Sequence, residues 1–174
     1  MTAPTPCDIP AGSALSRDVV EAAYFHDSYR APLAREELGI IPIYVALFGH
    51  SPLFVKLLLI ARNAVARLAG LEVPAMRDIM NFEVRESYRI GDKIGPWPIF
   101  SIDAWEIVAG RNNKHLDFRV SVLKQTDDGQ ANVTVSTICL THNLAGKIYL
   151  FFVVPFHRFG VKALMSRAVA AKRL

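Results

Sequence analysis

The chain has 174 residues, a formal net charge of +4 and 52% hydrophobic residues, with a mean hydropathy of +0.25. That length suits one domain spanning residues 1–174 with a core of its own, and the apolar fraction exceeds the roughly 45–50% usual for soluble proteins. The excess of 20 basic over 16 acidic residues is mild; it gathers at Lys162, Arg167, Lys172 and Arg173, where a helix dipole favours cations, and no basic face with interleaved aromatics marks a nucleic-acid binder.

Two cysteines, Cys7 and Cys139, make neither a disulfide framework nor a zinc site. A reducing, cytoplasmic setting fits them. The N-terminus has no basic start and no continuous apolar stretch, so it does not read as a signal peptide. Ile40 to Ala61 is apolar but carries Pro42, Gly49, His50, Ser51, Pro52 and Lys56, which are costly in lipid. Ile148 to Phe156 falls short of the about 20 residues a span needs. No transmembrane segment is expected.

Taken in order, residues 1–14 are expected to be a loose tail, rich in Pro at the start. Leu15 to Ala23 suggests a short helical turn. Tyr24 to Leu33 reads as a strand, with Phe25, Asp27 and Tyr29 on one face and His26, Ser28 and Arg30 on the other. Ala34 to Gly70 is helical, broken by Gly39, Pro42 and Gly49. Its better half starts at a Ser51 cap with Pro52 in the first turn and stops at Gly70, with Pro74 beyond. There Lys56, Asn63 and Arg67 form a narrow polar stripe, and Leu53, Leu57, Leu58, Ile60, Val65 and Leu68 predict burial of the rest. Met76 to Gly95 gives no clear pattern and ends in a loop signal, GDKIGPWP.

From Ile99 the period switches to two. Ile99 to Asp103 and Trp105 to Ala109 predict short strands, and GRNNK at residues 110–114 predicts a turn. His115 to Gln125 and Gln130 to His142 predict two long strands around Asp128-Gly129, a strong hairpin signal. Leu144 to Leu174 predicts a helix capped by Asn143 or Thr141 and kinked or divided at Pro155. Strands in sequential antiparallel order with helices on one face give an α+β domain.

A two-residue turn at Asp128-Gly129 fixes the hairpin register. Leu116 then opposes Thr141, Phe118 opposes Cys139, Val120 opposes Thr137 and Val122 opposes Val135. The other face pairs His115 with His142, Asp117 with Leu140, Arg119 with Ile138 and Ser121 with Ser136. A bulge at Asp127 would exchange the faces. Phe152, Phe156 and Phe159 on the last helix are expected to close over the Phe118 face, either as plain core or as the wall of a ligand cavity. His115, Asp117 and His142 cluster at one end of the other face. Two imidazoles and a carboxylate suit a metal or acid–base work; a solvated face with a weak Asp117–Arg119 pair is the simpler alternative. His157, roughly 20 Å along the helix axis, is not expected to join them. Tyr149 has a hydroxyl that can reach a cavity. His26 and His50 have no visible partners, and neither a nucleophile elbow nor a phosphate loop occurs.

The stretches SPLFVKLLLIARNAVARLAGL, YRIGDKIGPWPIFSID, KHLDFRVSVL and VTVSTICLTHNLAGKIYLFFVVPFHR resemble the bacterial family called domain of unknown function 2867, from Tyr24 onward. That family is similar in organisation to the START and polyketide-cyclase-like (SRPBCC) superfamily. The resemblance implies a single START-like domain with the helix-grip fold, in which a curved antiparallel sheet wraps a long C-terminal helix and often leaves an apolar cavity. It implies no catalytic residues.

The leading expectation is a small apolar ligand bound between sheet and C-terminal helix by Phe118, Val120, Thr137, Cys139, Tyr149, Phe152 and Phe156. A cyclase- or hydrolase-like enzyme using His142 with Asp117 or Tyr149 is the second, and membrane-surface association through the basic, apolar last helix is the third. No metal, cofactor or nucleic acid is expected, and a homodimer remains open.

Overall fold

The computed structural model describes residues 3–50, 53–68, 73 and 82–174. Among the described residues, seven antiparallel strands build one curved sheet. They are β1 (Thr5–Pro6), β2 (Phe25–Pro32), β3 (Lys93–Ile94), β4 (Trp97–Ile102), β5 (Glu106–Asn112), β6 (Leu116–Asp127) and β7 (Gln130–Thr141). The helices are α1 (Arg17–Ala22), α2 (Ile40–Tyr44), which runs on into a π-helical turn Val45–Gly49, α3 (Leu53–Leu68) and α4 (Leu144–Ala170).

The strand order is β1-β2-β7-β6-β5-β4-β3. From β3 to β7 the chain meanders, as the pattern predicts. The N-terminal β2 then docks beside β7, pairing Phe25 with Cys139, Asp27 with Thr137 and Tyr29 with Val135. These pairs share the inner face. A register shift between Ile99 and Ser101 leaves Phe100 as an extra residue on β4, and such bulges bend a sheet.

Asp128 and Gly129 both take positive φ, 49° and 77°. That is the primed turn whose twist matches the strands it joins. Asp127 closes the hairpin against Gln130, with no bulge, and every cross-strand pair named above for Leu116 to Val122 is present. Phe118, Val120 and Val122 therefore look inward. The main core lies on this face, where Val122, Val133 and Val135 meet Ile43, Tyr44 and Leu47 of the α2 region and Met165, Ala168 and Leu174 at the C-terminal end. Pro42 sits in the first turn of α2, where a missing N–H costs nothing.

The expected loose tail is in place from β1 onward. Thr5 and Pro6 pair with Arg30 and Tyr29. Ser13 Oγ and the Ala14 N–H donate to Glu106 at 2.6 Å each. Buried Glu106 also accepts from the Ser121 hydroxyl. This carboxylate pins residues 13–14 to the outer face, and Leu15 packs on Val108 and Ile138. The middle of that face is covered, not solvated.

Two helices are rotated from expectation. In α3, Asn63 is buried while Leu57 is exposed, so the polar stripe does not face water along its length. The caps expected at Ser51, Pro52, Gly70 and Pro74, and the stretch 76–81, lie outside the described residues. In α4, Asn143 is the cap, its Oδ1 accepting from the Gly146 N–H at 3.2 Å. Pro155 does not divide the helix, which runs unbroken for 27 residues. Phe159 does not close over the hairpin; it is 62% exposed. Tyr149, Leu150, Val161 and Met165 turn inward instead. Apolar residues spread around α4 and leave no wide polar face to set its rotation, so close packing at Gly146 and along the sheet decides it.

Candidate functional site

Between the inner face of the sheet, the π-helical turn, α3 and the N-terminal half of α4 lies a cavity of about 440 Å³. Its floor is Leu116, Phe118 and Val120 of β6 with Thr137 and Cys139 of β7. Strand alternation puts these five on one face, since each is an even step from the next along its strand. Trp97 stands edge-on to Phe118, with ring centroids 4.7 Å apart, and closes one side. Tyr44 and Phe48 form another wall, their rings 4.7 Å apart. Burial pushes the Tyr44 phenol well above its ordinary range, with Tyr88 adding to the effect.

The roof is α4. Tyr149, Val153, His157, Gly160 and Leu164 recur at steps of four, four, three and four and look down into the cavity. Phe152 and Phe156 flank this row. They line the cavity yet remain 58% and 57% exposed, so they stand at its mouth. The seven residues Phe118, Val120, Thr137, Cys139, Tyr149, Phe152 and Phe156 thus surround one space.

The residues expected to do chemistry do not converge on it. Asp117 alternates with Leu116 and Phe118 and lies on the outer face. There its Oδ2 sits 3.2 Å from His142 Nε2, and its Oδ1 accepts from the Asn113 N–H at 3.0 Å. Tyr149 is on the other side of the sheet, in the roof. His115 does not join His142; its ring nitrogen lies within hydrogen-bond range of the Asn143 side chain. Arg119 does not pair with Asp117 either. Its guanidinium stacks 3.5 Å from the Phe100 ring centroid and donates to Asn112 Oδ1 at 2.6 Å. Burial lowers its pKa, and the Asp117 charge partly offsets that. Among the described residues no group of three or more His, Cys, Asp or Glu side chains is placed to hold a metal ion.

One polar feature of the cavity escaped the sequence reading. His157 reaches back to β2 and places Nε2 3.3 Å from Asp27 Oδ1. Its ring also meets Phe25 edge-on at 5.8 Å. The partners are 130 residues apart in sequence, so no local pattern joins them. A signal was available on β2, where Asp27 is the one acid on a face otherwise made by Phe25 and Tyr29. The Tyr29 phenol is raised in pKa by burial and then by the neighbouring Asp27 charge.

The far side of α4 is apolar too. Leu144, Ile148, Phe151 and Phe159 are exposed, and the helix holds no acidic residue. By length and composition alone it is long and apolar enough to cross a membrane.

A mixed α+β domain, with a curved seven-stranded antiparallel sheet and a C-terminal helix roofing an apolar cavity, is the class that fold and site define. A family profile described as "Protein of unknown function (DUF2867)" matches residues 19–164. The chain belongs to that family. No curated protein and no solved structure matches it significantly.

Proposed function

We propose that this protein is a helix-grip, START-like domain that binds a small apolar molecule between the sheet and α4. The observation that carries the reading is the cavity itself. At about 440 Å³ it falls within the roughly 300–1,000 Å³ of small-molecule sites. Its wall is mostly aromatic and aliphatic, and its mouth lies between Phe152 and Phe156. Apolar surface lining such a space gains dispersion contacts with any apolar molecule that enters it. Phe152→Trp places a reporter at the mouth. A titration with an apolar fluorescent probe such as Nile red is expected to saturate at one probe per chain, with energy transfer from the new indole. No saturation in either form contradicts the reading.

A second reading, membrane-surface association, is favoured by the exposed far side of α4. Lys147, Arg158 and Lys162 stand beside that side, over the rings of Tyr24, Phe25 and Tyr29 at 5.5, 5.5 and 5.1 Å. Apolar anchors beside cations suit an anionic bilayer surface. The protein is expected to co-sediment with vesicles containing phosphatidylserine. Each Phe withdrawn from water contributes about 1.5–3 kcal/mol, so the double variant Phe151→Ser, Phe159→Ser should bind at least tenfold more weakly. Binding indifferent to both anionic lipid and the double variant removes this reading.

A further inference from the structure

One corner of the cavity is built unlike the rest. Asp27 and Thr137 are directly opposed on β2 and β7, so their side chains project together on the inner face. The Thr137 residue is 3% exposed, and the Asp27 side chain is 9% exposed. Asp27 Oδ1 is engaged by His157 and the Tyr29 phenol stands against the same carboxylate, but no hydrogen bond within 3.5 Å meets Asp27 Oδ2 or Thr137 Oγ1 among the described residues. Thr137 and His157 both line the cavity.

Buried polar atoms of folded proteins are nearly always satisfied, because an orphan forfeits its hydrogen bonds to water. Two orphans on opposed residues, Thr137 on the cavity wall and Asp27 directly beside it, mark a place where something polar belongs. The chemistry of the corner says what. A carboxylate oxygen accepts and does not donate; a threonine hydroxyl has one proton to give and two lone pairs. Acceptors outnumber donors. A hydroxyl group answers both needs, donating to Asp27 Oδ2 while accepting from Thr137. A carboxylate brings only acceptors, and brings its charge up against that of Asp27.

We propose that Thr137, Asp27 and His157 form the polar anchor of the cavity, and that the molecule it takes is an apolar body carrying one hydroxyl group in place of an acid. This rests on the apolar-ligand reading and narrows it. His157 is a positioning residue here, since its bond to Oδ1 orients the carboxylate so that Oδ2 faces the ligand. Arg158 and Lys162 stand near the same corner, but both are exposed. Together with Lys56, which lines the cavity, they offer an acid head a rival site, so the acid must be tested beside the alcohol.

The test compares 1-decanol, decyl methyl ether and decanoate by fluorescence of Trp97, which lines the cavity, in a Trp105→Phe background. Wild type is expected to bind the alcohol about tenfold more tightly than the ether, the scale set by one buried hydrogen-bonding group left unmet, and decanoate no better than the ether. Thr137→Val keeps the shape and the β-branched side chain. It should weaken alcohol and ether alike by about three- to tenfold, because both oxygens can accept from the Thr137 hydroxyl, while thermal stability stays intact. Asp27→Asn, which trades one acceptor oxygen for a donor, should cut the alcohol preference over the ether to about threefold or less. Equal affinities for alcohol and ether in wild type overturn the anchor and leave the cavity reading standing. So does a preference for decanoate, an Asp27→Asn form that keeps the full alcohol preference, or a Thr137→Val form that binds the alcohol as tightly as wild type. No binding by any of the three probes overturns both.

Discussion

Gly146→Ala is expected to lower the melting temperature by about 4–8 °C, although helix propensity alone predicts a gain of about 1 kcal/mol. Gly146 lies in the first turn of α4 at the point where the helix meets the start of β6. A Cβ built there runs into the backbone carbonyl of His115 and also touches Leu116 Cβ at 3.5 Å. That carbonyl cannot swing away, because its oxygen accepts from the His142 N–H at 2.9 Å across the strand pair. Relief has to come from moving the helix, which disturbs the Asn143 cap and lifts the roof from the cavity. Overpacking of this kind costs about 3 kcal/mol. In a domain of this size each kcal/mol shifts the melting temperature by about 2–4 °C. The sign is what matters. A calorimetric scan showing an equally or more stable Gly146→Ala protein would mean that α4 does not sit against β6 as described.

The second large effect is Glu106→Ala. This carboxylate accepts from the hydroxyls of Ser13 and Ser121 and from the Ala14 N–H, all behind the sheet. Without it the buried Ser121 hydroxyl and the Ala14 N–H lose their acceptor, and the segment that covers Val108 and Ile138 loses its fastening. Each unsatisfied buried group costs about 1–3 kcal/mol, so a total of about 3 kcal/mol is expected. Chemical denaturation measures it. Limited proteolysis should cut Glu106→Ala before residue 17 far faster than wild type, while Glu106→Gln, which keeps one acceptor oxygen, should fall between them. Stability within about 0.5 kcal/mol of wild type, the range of ordinary surface substitutions, would contradict the bonding described.

The legible parts of this chain were those whose signal is local. The Asp128-Gly129 turn has a two-residue geometry that only certain residues adopt, and once it is placed the period of two carries Phe118, Val120, Thr137 and Cys139 to one face without further information. Asn143 was legible as a cap because a short polar side chain precedes an apolar run. The rotation of α4 was not. Apolar residues occur on every side of it, so the Phe152, Phe156 and Phe159 spacing is as good a candidate for the packed face as the Tyr149, Val153 and His157 row that the structure selects. Gly146, which brings the helix close to β6, reads in the sequence as a weak helix residue and not as a contact. Non-local covering hid the rest. Glu106 looks like an outward-facing strand acid until residues 13–15 are laid over it, and Asp27 looks like a chance acid until His157 arrives from the other end of the chain.

The space beneath α4 is proposed to take an apolar molecule. Crystals of the protein soaked with 1-bromodecane test it most directly, because anomalous scattering locates the bromine without reference to the rest of the density. One dominant bromine site is expected inside the cavity, among Phe118, Val120 and Val153, with the alkyl chain's density continuing beneath Tyr149. A cavity without a bromine peak, or bromine found only on the exposed Phe151 and Phe159 side of α4, would contradict it.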